Sequence, residues 1–484
     1  MTTIVWFHSD LRLADNPALN YAVESSDTVI PVFLWDVNAE RDASQRDAVG
    51  AAHLVWLRHA LPALSASLRN HGSHLILRRG DTLDQLNHLV EELGAESVVW
   101  NQRHTPSMAA RDLDIAEALR GDGVQVSTFS GQLLHEPEAI QTGSGGPYRV
   151  YTPFWKKFSN QVHVGAPIDC PRMGPSKAPD TWPDSDDIAD WSFDATAQDG
   201  VDWSKDIRGT WTPTEDAAHD LLDAFLETGA TGYADDRNRP DMQGTSRLSP
   251  YLHFGHISPR QVWDRVESWV QNGVMRDGAD VFLKEIAWRE FSYHVLHHYP
   301  DTPTEPLKEK YAPFPWVDNE SGLRRWQRGL TGYPIVDAGM RQLRATGWMH
   351  NRVRMIAASF LTKDLLISWQ EGAAWFWEHL VDADLANNTM GWQWAAGCGA
   401  DAQPFFRIFN PVSQGTRYDP DGHYVKRWVP ELADVPTKHV HAPWDAPASV
   451  LRRANVQLGA DYPRPMVDHK AARQRALEAL DTIK

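Results

Sequence analysis

The stretch from Thr346 to Asn410 combines tryptophans and polar side chains more densely than the rest of the sequence. Its aromatic and polar members are Trp348, Trp369, Trp375, Trp377, Trp392 and Trp394, together with Asn351, Arg354, Asp382, Asp384 and Asn388. Burying that much aromatic surface beside that many polar groups is tolerable only if each polar group finds a partner. A large ligand that is both polar and aromatic would supply those partners.

Two carboxylates in this stretch, Asp382 and Asp384, have the spacing of a metal-binding pair or of an acid–base couple. Because no histidine accompanies them at the spacing of a metal ligand, we expect no metal site.

A second group of candidate residues lies upstream, where Glu285 and Trp288 are three residues apart in a helical pattern and Arg289 follows Glu285 by four. Residues three and four apart lie on one face of a helix. Such a face could form part of a binding site, but a surface ion pair beside a core tryptophan fits the same spacing.

The segment GTSRLS, from Gly244 to Ser249, precedes a predicted helix and offers hydroxyls, backbone N–H groups and Arg247 in one turn. The start of a helix attracts anions, because its amides are unpaired and its dipole is positive there. A pyrophosphate suits this turn, although Ser and Thr at a helix start are more often ordinary caps.

Composition narrows the class of protein. The 484 residues are enough for two or three domains. Only two cysteines occur, Cys170 and Cys398, so neither a disulfide framework nor a four-cysteine metal site can form in one chain. The sequence shows no signal-peptide pattern and no apolar run of membrane-spanning length, and we expect a cytoplasmic protein without a membrane partner.

The formal charge of −17 argues mildly against nucleic acid as a partner. Nine Asp and one Lys lie between Asp180 and Asp206, however. The acidic excess is thus concentrated in one segment, and a locally basic face elsewhere is compatible with the composition.

Three regions must position these residues. Residues 1–130 alternate short apolar runs, such as TIVWF and TVIPVFLW, with helical patterns. This alternation predicts an α/β domain, a doubly wound parallel sheet covered by helices on both faces. Its first strand–helix turn lacks the glycine fingerprint of a dinucleotide site, and we interpret Asp10, Arg12 and Asn16 there as a local cap and ion-pair cluster.

Residues 131–212 are rich in Pro, Gly and Asp and predict a long interdomain connector. Within it, Gly146 to Phe158 mixes basic and aromatic residues, which fits a helix contacting phosphate and a solvated amphipathic segment equally well. Residues 213–484 show helical periodicity almost throughout and predict an all-helical C-terminal domain.

Several motifs identify a family. They are WFHSDLRLADNPAL near the N-terminus, GTSRLSPYLHFGHISPR, LKEIAWREF, WMHNRVRM, GWQWAAG, FRIFNP and DYPRPMVDHKAAR. In this order they resemble the DNA photolyase/cryptochrome family along nearly the whole chain, and most closely a class I cyclobutane pyrimidine dimer photolyase.

The resemblance implies that residues 213–484 bind FAD, with the reduced anionic flavin as the active form. The implied FAD-binding residues are Tyr233, Thr245, Ser246, Arg247, Leu248, Ser249, Trp348, Asn351, Arg354, Asp382, Asp384 and Asn388. Asn388 is implied to lie beside the flavin N5 atom, where a neutral amide is compatible with the anion and an Asp would repel it.

The resemblance also implies light-driven repair of UV-damaged DNA, with a dimer flipped into a pocket and an electron supplied by excited reduced FAD. The implied catalytic residues are Glu285, Trp288, Asn351, Met355 and Trp394, and the implied DNA-binding residues are Glu285, Arg289, Asn351, Arg352 and Gln414. Family members that act on (6–4) photoproducts carry a pair of histidines where this chain has Asn351 and Met355. Because these side chains cannot act as general acids, a cyclobutane dimer is the expected substrate.

A chain of electron-transferring tryptophans is implied at Trp316, Trp369 and Trp392, although burial alone would make each a core aromatic residue. The second, light-harvesting antenna chromophore of residues 1–130 is left open between a deazaflavin, a folate, a flavin and none. Folate-binding relatives have a Glu where this chain has Met108, which counts against folate.

The expected assembly is a monomer. The alternative function is that of a cryptochrome photoreceptor that signals through a protein partner. A nicotinamide-dependent flavoprotein is disfavoured, because the sequence lacks a second dinucleotide fingerprint.

Overall fold

Five parallel strands form one sheet in the computed structural model, which describes residues 1–36, 49–191, 204–271, 276–402 and 406–483. The strands are β1 (Thr2–Phe7), β2 (Thr28–Trp35), β3 (Ile76–Arg79), β4 (Ser97–Asn101) and β5 (Gln125–Phe129), and their order in the sheet is β3-β2-β1-β4-β5. The chain order reverses between β1 and β4. In doubly wound sheets this reversal opens a crevice at the carboxyl ends of the strands.

Helices connect these strands: α1 (Pro17–Ser25), α2 (Ala51–Asn70), α3 (Thr82–Leu93) and α4 (Pro106–Gly121). Buried side chains from both faces of the sheet enter separate hydrophobic clusters, for example Val5 on one face and Ile4 on the other. Both faces are therefore covered, which explains why the strands read as continuous apolar runs. The predicted doubly wound α/β domain is confirmed.

The turn after β1 is a hydrogen-bonded cluster, as the sequence predicted, but its bonds differ from the prediction. Asn16 caps α1 by accepting a hydrogen bond from the Leu19 amide at 3.1 Å. The buried Arg12 donates to backbone carbonyls, including that of Gly131 at 2.8 Å and that of Gly255 at 3.1 Å. Arg12 therefore binds carbonyl oxygens on distant segments, so the turn fastens the first strand to the rest of the chain.

In its described residues, the connector of residues 131–212 contains α5 (Tyr151–Gln161), a short helix over Ser204–Thr210 at its end, and 3₁₀ turns at Pro137–Ala139, Pro175–Lys177 and Ile188–Asp190. Residues 192–203 lie outside the described part. Phe154 and Phe158 of α5 are buried, while Lys156 and Lys157 are exposed. The segment is thus an amphipathic helix whose apolar face packs on the protein.

The C-terminal region is helical, as predicted. Its helices are α6 (Ser204–Thr210), α7 (Glu215–Thr228), α8 (Tyr233–Asp236), α9 (Ser249–His253), α10 (Pro259–Gln271), α11 (Arg276–His298), α12 (Glu320–Gln327), α13 (Pro334–Thr346), α14 (Asn351–Ser359), α15 (Trp369–His379), α16 (Leu385–Ala396), α17 (Pro411–Tyr418), α18 (His423–Trp428), α19 (Thr437–Val440), α20 (Ala448–Arg453) and α21 (His469–Asp481). A π-helical turn spans Phe360–Asp364, and 3₁₀ turns span Glu309–Tyr311, Pro430–Leu432 and Pro443–Asp445. Within the described residues, no helix combines the length and apolarity of a membrane span.

The sheet domain and the helical domain share one hydrophobic cluster, which joins Phe7 and Trp56 to Tyr251 and Trp348. At its centre His256 accepts a hydrogen bond from the Trp56 indole at 2.9 Å, and its Nδ1 lies 3.1 Å from the Leu11 carbonyl oxygen. Because a carbonyl can only accept, Nδ1 carries the proton and Nε2 is the free acceptor. This arrangement requires a neutral imidazole.

We therefore expect acid to destabilise the protein through its buried histidines. Burial lowers the pKa of His256 and of His350 to about 3. It lowers the pKa of three more histidines to about 4: His104, His294 and His379. An unfolded histidine takes up its proton near pH 6.5, so stability is lost as the pH falls below about 6.5. Between about pH 6 and pH 5, His256→Gln should reduce the pH slope of the unfolding free energy by about one proton, or ~1.4 kcal/mol per pH unit.

Urea unfolding of wild type and His256→Gln across this range measures the slope, and the two slopes should coincide above about pH 7.5. Equal slopes below about pH 6 would show that His256 binds a proton equally in the folded and unfolded states.

Candidate functional site

The GTSRLS segment forms a tight loop before α9. Arg247 has a φ of 56°, in the left-handed region that residues other than glycine seldom adopt. A Cβ atom at Gly244 would lie 2.6 Å from the Asp236 carbonyl oxygen, so the loop approaches α8 as closely as only glycine permits. Helix α9 has five residues, too short for a strong dipole. The loop's polar side chains, more than the helix, therefore define what it can bind.

Arg247 and Ser249 meet the tryptophan-rich stretch at this loop. The Arg247 guanidinium carbon lies 4.4 Å from the ring centre of Trp211 and 5.3 Å from that of Trp348. The Trp348 indole N–H donates to the Ser249 hydroxyl at 3.2 Å. Two segments about a hundred residues apart in sequence, 244–249 and 346–349, thereby form one wall of a site.

Arg354 and Asp382 form the ion pair that the resemblance implied, with Nη2 and Oδ2 2.8 Å apart. Arg354 also donates from Nε to the Met349 carbonyl at 2.7 Å, which fixes the plane of its guanidinium. The other carboxylate oxygen of Asp382, Oδ1, is buried and lacks a hydrogen-bond partner among the described residues.

Asp384 and Asn388 occupy the start of α16. Asp384 caps this helix by accepting from the Asn387 amide at 2.8 Å, and its second oxygen accepts from the Tyr293 hydroxyl at 2.6 Å. The Asn388 side-chain amide donates to the Ala373 carbonyl of α15 at 3.0 Å. Its orientation is thus set by the neighbouring helix, which leaves the amide oxygen as the group that is free to face a ligand.

Tyr233 is buried at the start of α8, with Phe225 and Phe282 against its ring at 5.4 Å. The Arg237 guanidinium carbon lies 5.6 Å from the same ring. Arg237, one turn along from Tyr233, also donates to the Glu285 carboxylate of α11. The α8 turn therefore links the 233–249 region to Glu285.

Glu285 and Trp288 lie on one face of α11, as their spacing predicted. Burial raises the pKa of Glu285, and the ion pair with Arg237 offsets part of that increase. Trp288 is half-buried, and one face of its indole stacks on Tyr151 of α5, with ring centroids 3.7 Å apart and planes 9° apart.

Arg289 does not lie where the sequence placed it. Only 7% of the residue is exposed, and it donates to the Gln132 carbonyl at 2.9 Å, lies over the Tyr293 ring and approaches Glu290. Neither the four-residue pair with Glu285 nor a contact with DNA phosphate is compatible with this position. The physical reason is that the Arg289 guanidinium is held by the Gln132 carbonyl and lies over Tyr293, while Glu285 is paired with Arg237.

Helix α14 carries Asn351, which is exposed, and the half-buried Met355. His350 is not in the helix but caps it, accepting from the Arg352 amide at 3.2 Å. Burial, assisted by nearby arginines, lowers the pKa of His350 to about 3, so it is neutral at physiological pH.

Arginines cluster around this face. Arg352 donates to Asn238 and lies 4.6 Å from the centre of the Tyr418 ring. Burial and the nearby charges of Arg237, Arg417 and Arg407 lower the pKa of Arg352. We call these four residues, Arg237, Arg352, Arg407 and Arg417, the arginine cluster.

Trp394 borders the arginine cluster, and Gln414 lies on α17, the helix that carries Arg417. The Arg407 guanidinium lies 5.2 Å from the Trp394 ring, and Trp394 itself is half-buried. The Gln414 side-chain oxygen is buried and has no hydrogen-bond partner among the described residues. Several arginines are therefore gathered on this acidic protein, although one of them, Arg237, is paired with Glu285.

The three tryptophans of the implied electron chain differ in burial: Trp369 and Trp392 are 2% exposed, whereas Trp316 is half-buried. Trp392 fits against α15 because a Cβ at Gly372 would come within 2.1 Å of its ring. Its ring packs against those of Phe376 and Trp326, at centroid distances of 4.9 Å and 6.0 Å. Electron transfer along Trp316, Trp369 and Trp392 stays a prediction.

The crevice between β1 and β4 is a second site, a cavity of about 170 Å³. Residues that follow the strands line it, including His8, Asp10, Asp36 and Arg103. Both ring nitrogens of the buried His8 lack a partner among the described residues. The floor comes from the helical domain, through His253, Tyr293, Trp377 and Asp384, and Met108 also lines the cavity.

Sequence reasoning missed Arg237, Asn238, Tyr293, Arg407 and Tyr151. A signal existed for Arg237, since it lies four residues after Tyr233 in a helical pattern. The other four residues make their contacts with segments far away in the sequence, and helical periodicity does not predict such contacts.

The fold and these sites define a class. The chain matches the family model described as DNA photolyase over residues 3–172 and the model described as the FAD binding domain of DNA photolyase over residues 282–482. The chain belongs to the DNA photolyase/cryptochrome family, and its helical domain is the family's FAD-binding domain.

It is 48% identical to a deoxyribodipyrimidine photo-lyase of Agrobacterium fabrum, over 99% of this chain and 98% of the relative. A crystal structure described as a bacterial class III photolyase from Agrobacterium tumefaciens superposes with a TM-score of 0.94 at 48% identity, covering 100% of this chain and 97% of that one. Cryptochrome-2 of Arabidopsis thaliana is 37% identical over 99% of this chain and 78% of its own length.

The described residues fit FAD. Three of them present buried polar atoms without a protein partner beside aromatic rings: Arg247 Nε, Asp382 Oδ1 and His350 Nε2. Unpaired buried polar atoms are costly, so a ligand with phosphate, hydroxyl and ring hydrogen-bonding groups would satisfy them.

Proposed function

We propose that this protein is a light-dependent DNA repair enzyme, a deoxyribodipyrimidine photo-lyase that splits cyclobutane pyrimidine dimers. The observation that carries the proposal is the joint placement of Glu285 and Trp288 on one face of α11, within the FAD-binding domain and beside the arginine cluster. A carboxylate, an aromatic face and a cationic rim together suit a damaged base pair and its phosphates.

Bound FAD, in its reduced anionic form, supplies the light-driven electron. The chain's own residues hold the cofactor: the GTSRLS loop with Tyr233 for the phosphates, Trp348 and Asn351 beside it, and Arg354, Asp382, Asp384 and Asn388 for the ring system and ribose. Because Arg354 and Asp382 neutralise each other in one plane, their remaining hydrogen-bonding atoms are oriented before a ligand arrives.

The protein binds DNA through its phosphates and recognises the lesion by its shape. Arg352 and its arginine neighbours attract the phosphate backbone, and the buried Gln414 oxygen remains an unpaired acceptor among the described residues. A dimer stacks poorly in the duplex, so it is flipped out at a lower cost than an intact pair. It then lies between Trp288 and Trp394, where Glu285, Asn351 and Met355 contact it.

Two features support the finer assignment. Asn351 and Met355 provide no acid for (6–4) chemistry, and His350, neutral and occupied as a helix cap, does not replace one. The sequence suggested class I, but we propose class III, supported by the class III structure that this chain matches at 48% identity over its full length.

A cryptochrome function is the alternative. The 37% identity to a plant cryptochrome favours this alternative, but the match covers only 78% of the cryptochrome. The photo-lyase relative is 48% identical and is matched over 98% of its length, which favours repair. A cryptochrome needs a signalling partner and has no need of a dimer pocket.

We also propose a division of labour: residues 1–130 hold an antenna chromophore, residues 131–212 connect the domains, and residues 213–484 bind FAD and DNA. Family members carry second, light-harvesting chromophores. The crevice between β1 and β4 supports this proposal through its aromatic lining and the unpaired His8. We propose that the enzyme acts as a monomer in the cytoplasm, where its DNA substrate lies.

The test is repair of an oligonucleotide that carries one thymine cyclobutane dimer. With reduced protein, blue or near-UV light should restore the thymines, and dark incubation should not. Restoration of a (6–4) product, with the cyclobutane dimer left intact, would overturn the substrate assignment. Failure to repair either lesion would favour the cryptochrome alternative.

Glu285→Ala is the matched variant in this assay. It should lower the repair yield while binding to undamaged DNA stays near that of wild type, because phosphate contacts supply most of that affinity. An equal loss of affinity for damaged and intact DNA would show that Glu285 acts only through its ion pair with Arg237.

A further inference from the structure

Tyr151, the first residue of α5 in the connector, contacts Trp288 of the proposed dimer pocket and the segment that follows the helix of Trp394. It is 8% exposed, and its ring lies parallel to the Trp288 indole at a centroid distance of 3.7 Å. A ring at that distance occupies one face of the indole completely. Only the opposite face of Trp288 can therefore receive another flat ring.

The Tyr151 hydroxyl fixes this stack to the helix that carries it. It donates to the Lys284 carbonyl at 2.7 Å, on the residue directly before Glu285. Burial and the nearby Glu285 carboxylate raise the pKa of Tyr151, so its hydroxyl stays a donor. One side chain thus touches α11 at two points, the indole of Trp288 and the backbone beside Glu285.

The Tyr151 backbone is tied to the other side of the pocket. Its amide donates to the Asp401 carboxylate at 3.2 Å, and the Asp401 amide donates to the Arg149 carbonyl at 3.0 Å. Asp401 follows α16, the helix that carries Trp394. Tyr151 consequently connects Trp288, on one side of the proposed pocket, to the segment that follows the helix of Trp394, on the other side.

We propose that Tyr151 is a positioning residue that presents Trp288 in a single orientation and sets its separation from the Trp394 segment, so that the pocket prefers two linked, flat pyrimidines over intact DNA. This rests on the proposed function. Tyr151 touches no reacting atom and acts through Trp288. Helix α5 of the connector therefore contributes to the recognition of damaged DNA.

The test compares the dissociation constants for an oligonucleotide with one cyclobutane dimer and for the same undamaged oligonucleotide, in the dark and at one salt concentration. Tyr151→Leu removes the planar partner, and the ratio of the two constants should fall by about tenfold, the lower part of what one stacked base contributes. Tyr151→Phe keeps the stack and should retain the ratio within about twofold. Tyr148→Leu is the control, because Tyr148 precedes the same helix and packs edge-on against Phe154 instead of Trp288.

FAD content and the thermal midpoint are measured for each variant, and near-ultraviolet circular dichroism should show loss of the stacked pair only in Tyr151→Leu. If that variant does not fold, Tyr151→Met, which fills the volume without a plane, takes its place. Wild-type discrimination by Tyr151→Leu, or an equal loss in Tyr148→Leu, would overturn the inference. A wild-type protein that does not discriminate at all would instead overturn the proposed function.

Discussion

Asp382→Ala should deprive the purified protein of most of its FAD and lower its stability by about 3 kcal/mol, toward the low end for a broken buried ion pair. The Asp382 side chain is 3% exposed and that of Arg354 is 23% exposed, so the variant leaves a largely buried guanidinium without its counter-charge. Flavin absorbance per protein and the urea midpoint measure the two effects.

Two further variants make this result specific. Arg354→Ala leaves the carboxylate buried alone and should be similarly harmful, while the double variant should lose much less than the sum of the two, because the partners interact. Glu320→Ala breaks the exposed pair with Arg324, whose side chains are 71% and 61% exposed, and should change stability by less than about 1 kcal/mol. Normal FAD content in Asp382→Ala would remove Asp382 from the cofactor site.

Trp316→Phe should reduce the photoreduction of oxidised FAD to a small fraction of the wild-type rate. Trp316 is half-buried and packs on Phe314 at 4.4 Å, so it is less enclosed than Trp369 and Trp392, as the outer end of an electron chain requires. Phenylalanine keeps the aromatic contact but is much harder to oxidise, so the stability change should stay below about 1.5 kcal/mol. Flavin bleaching under blue light with an external reductant measures the rate.

Chemically reduced Trp316→Phe should repair dimers like wild type, because repair starts from flavin that is already reduced. Trp326→Phe is a useful comparison, since Trp326 is fully buried and contacts Trp392. Wild-type photoreduction in Trp316→Phe together with a loss in Trp326→Phe would place the electron path through Trp326. Loss of repair in the pre-reduced Trp316 variant would show that this residue supports the fold or the DNA surface.

Local sequence determined much of this protein. The alternation of apolar runs and helical patterns specified a doubly wound sheet, because strands buried on both faces must be apolar throughout. Asn16 was predicted to be part of a local cap, and the structure confirms it as the side-chain cap of α1. The shared face of Glu285 and Trp288 followed from the helical repeat alone.

Tertiary structure decided which partner each face meets. Arg289 has the spacing to pair with Glu285, yet it turns toward Gln132, and Glu285 pairs with Arg237, 48 residues away. Trp288 receives Tyr151 from the connector, 137 positions earlier in the numbering. The helical repeat fixes the direction of a side chain relative to its neighbours on the same helix. What lies in that direction is set by the packing of distant segments, which no local pattern encodes.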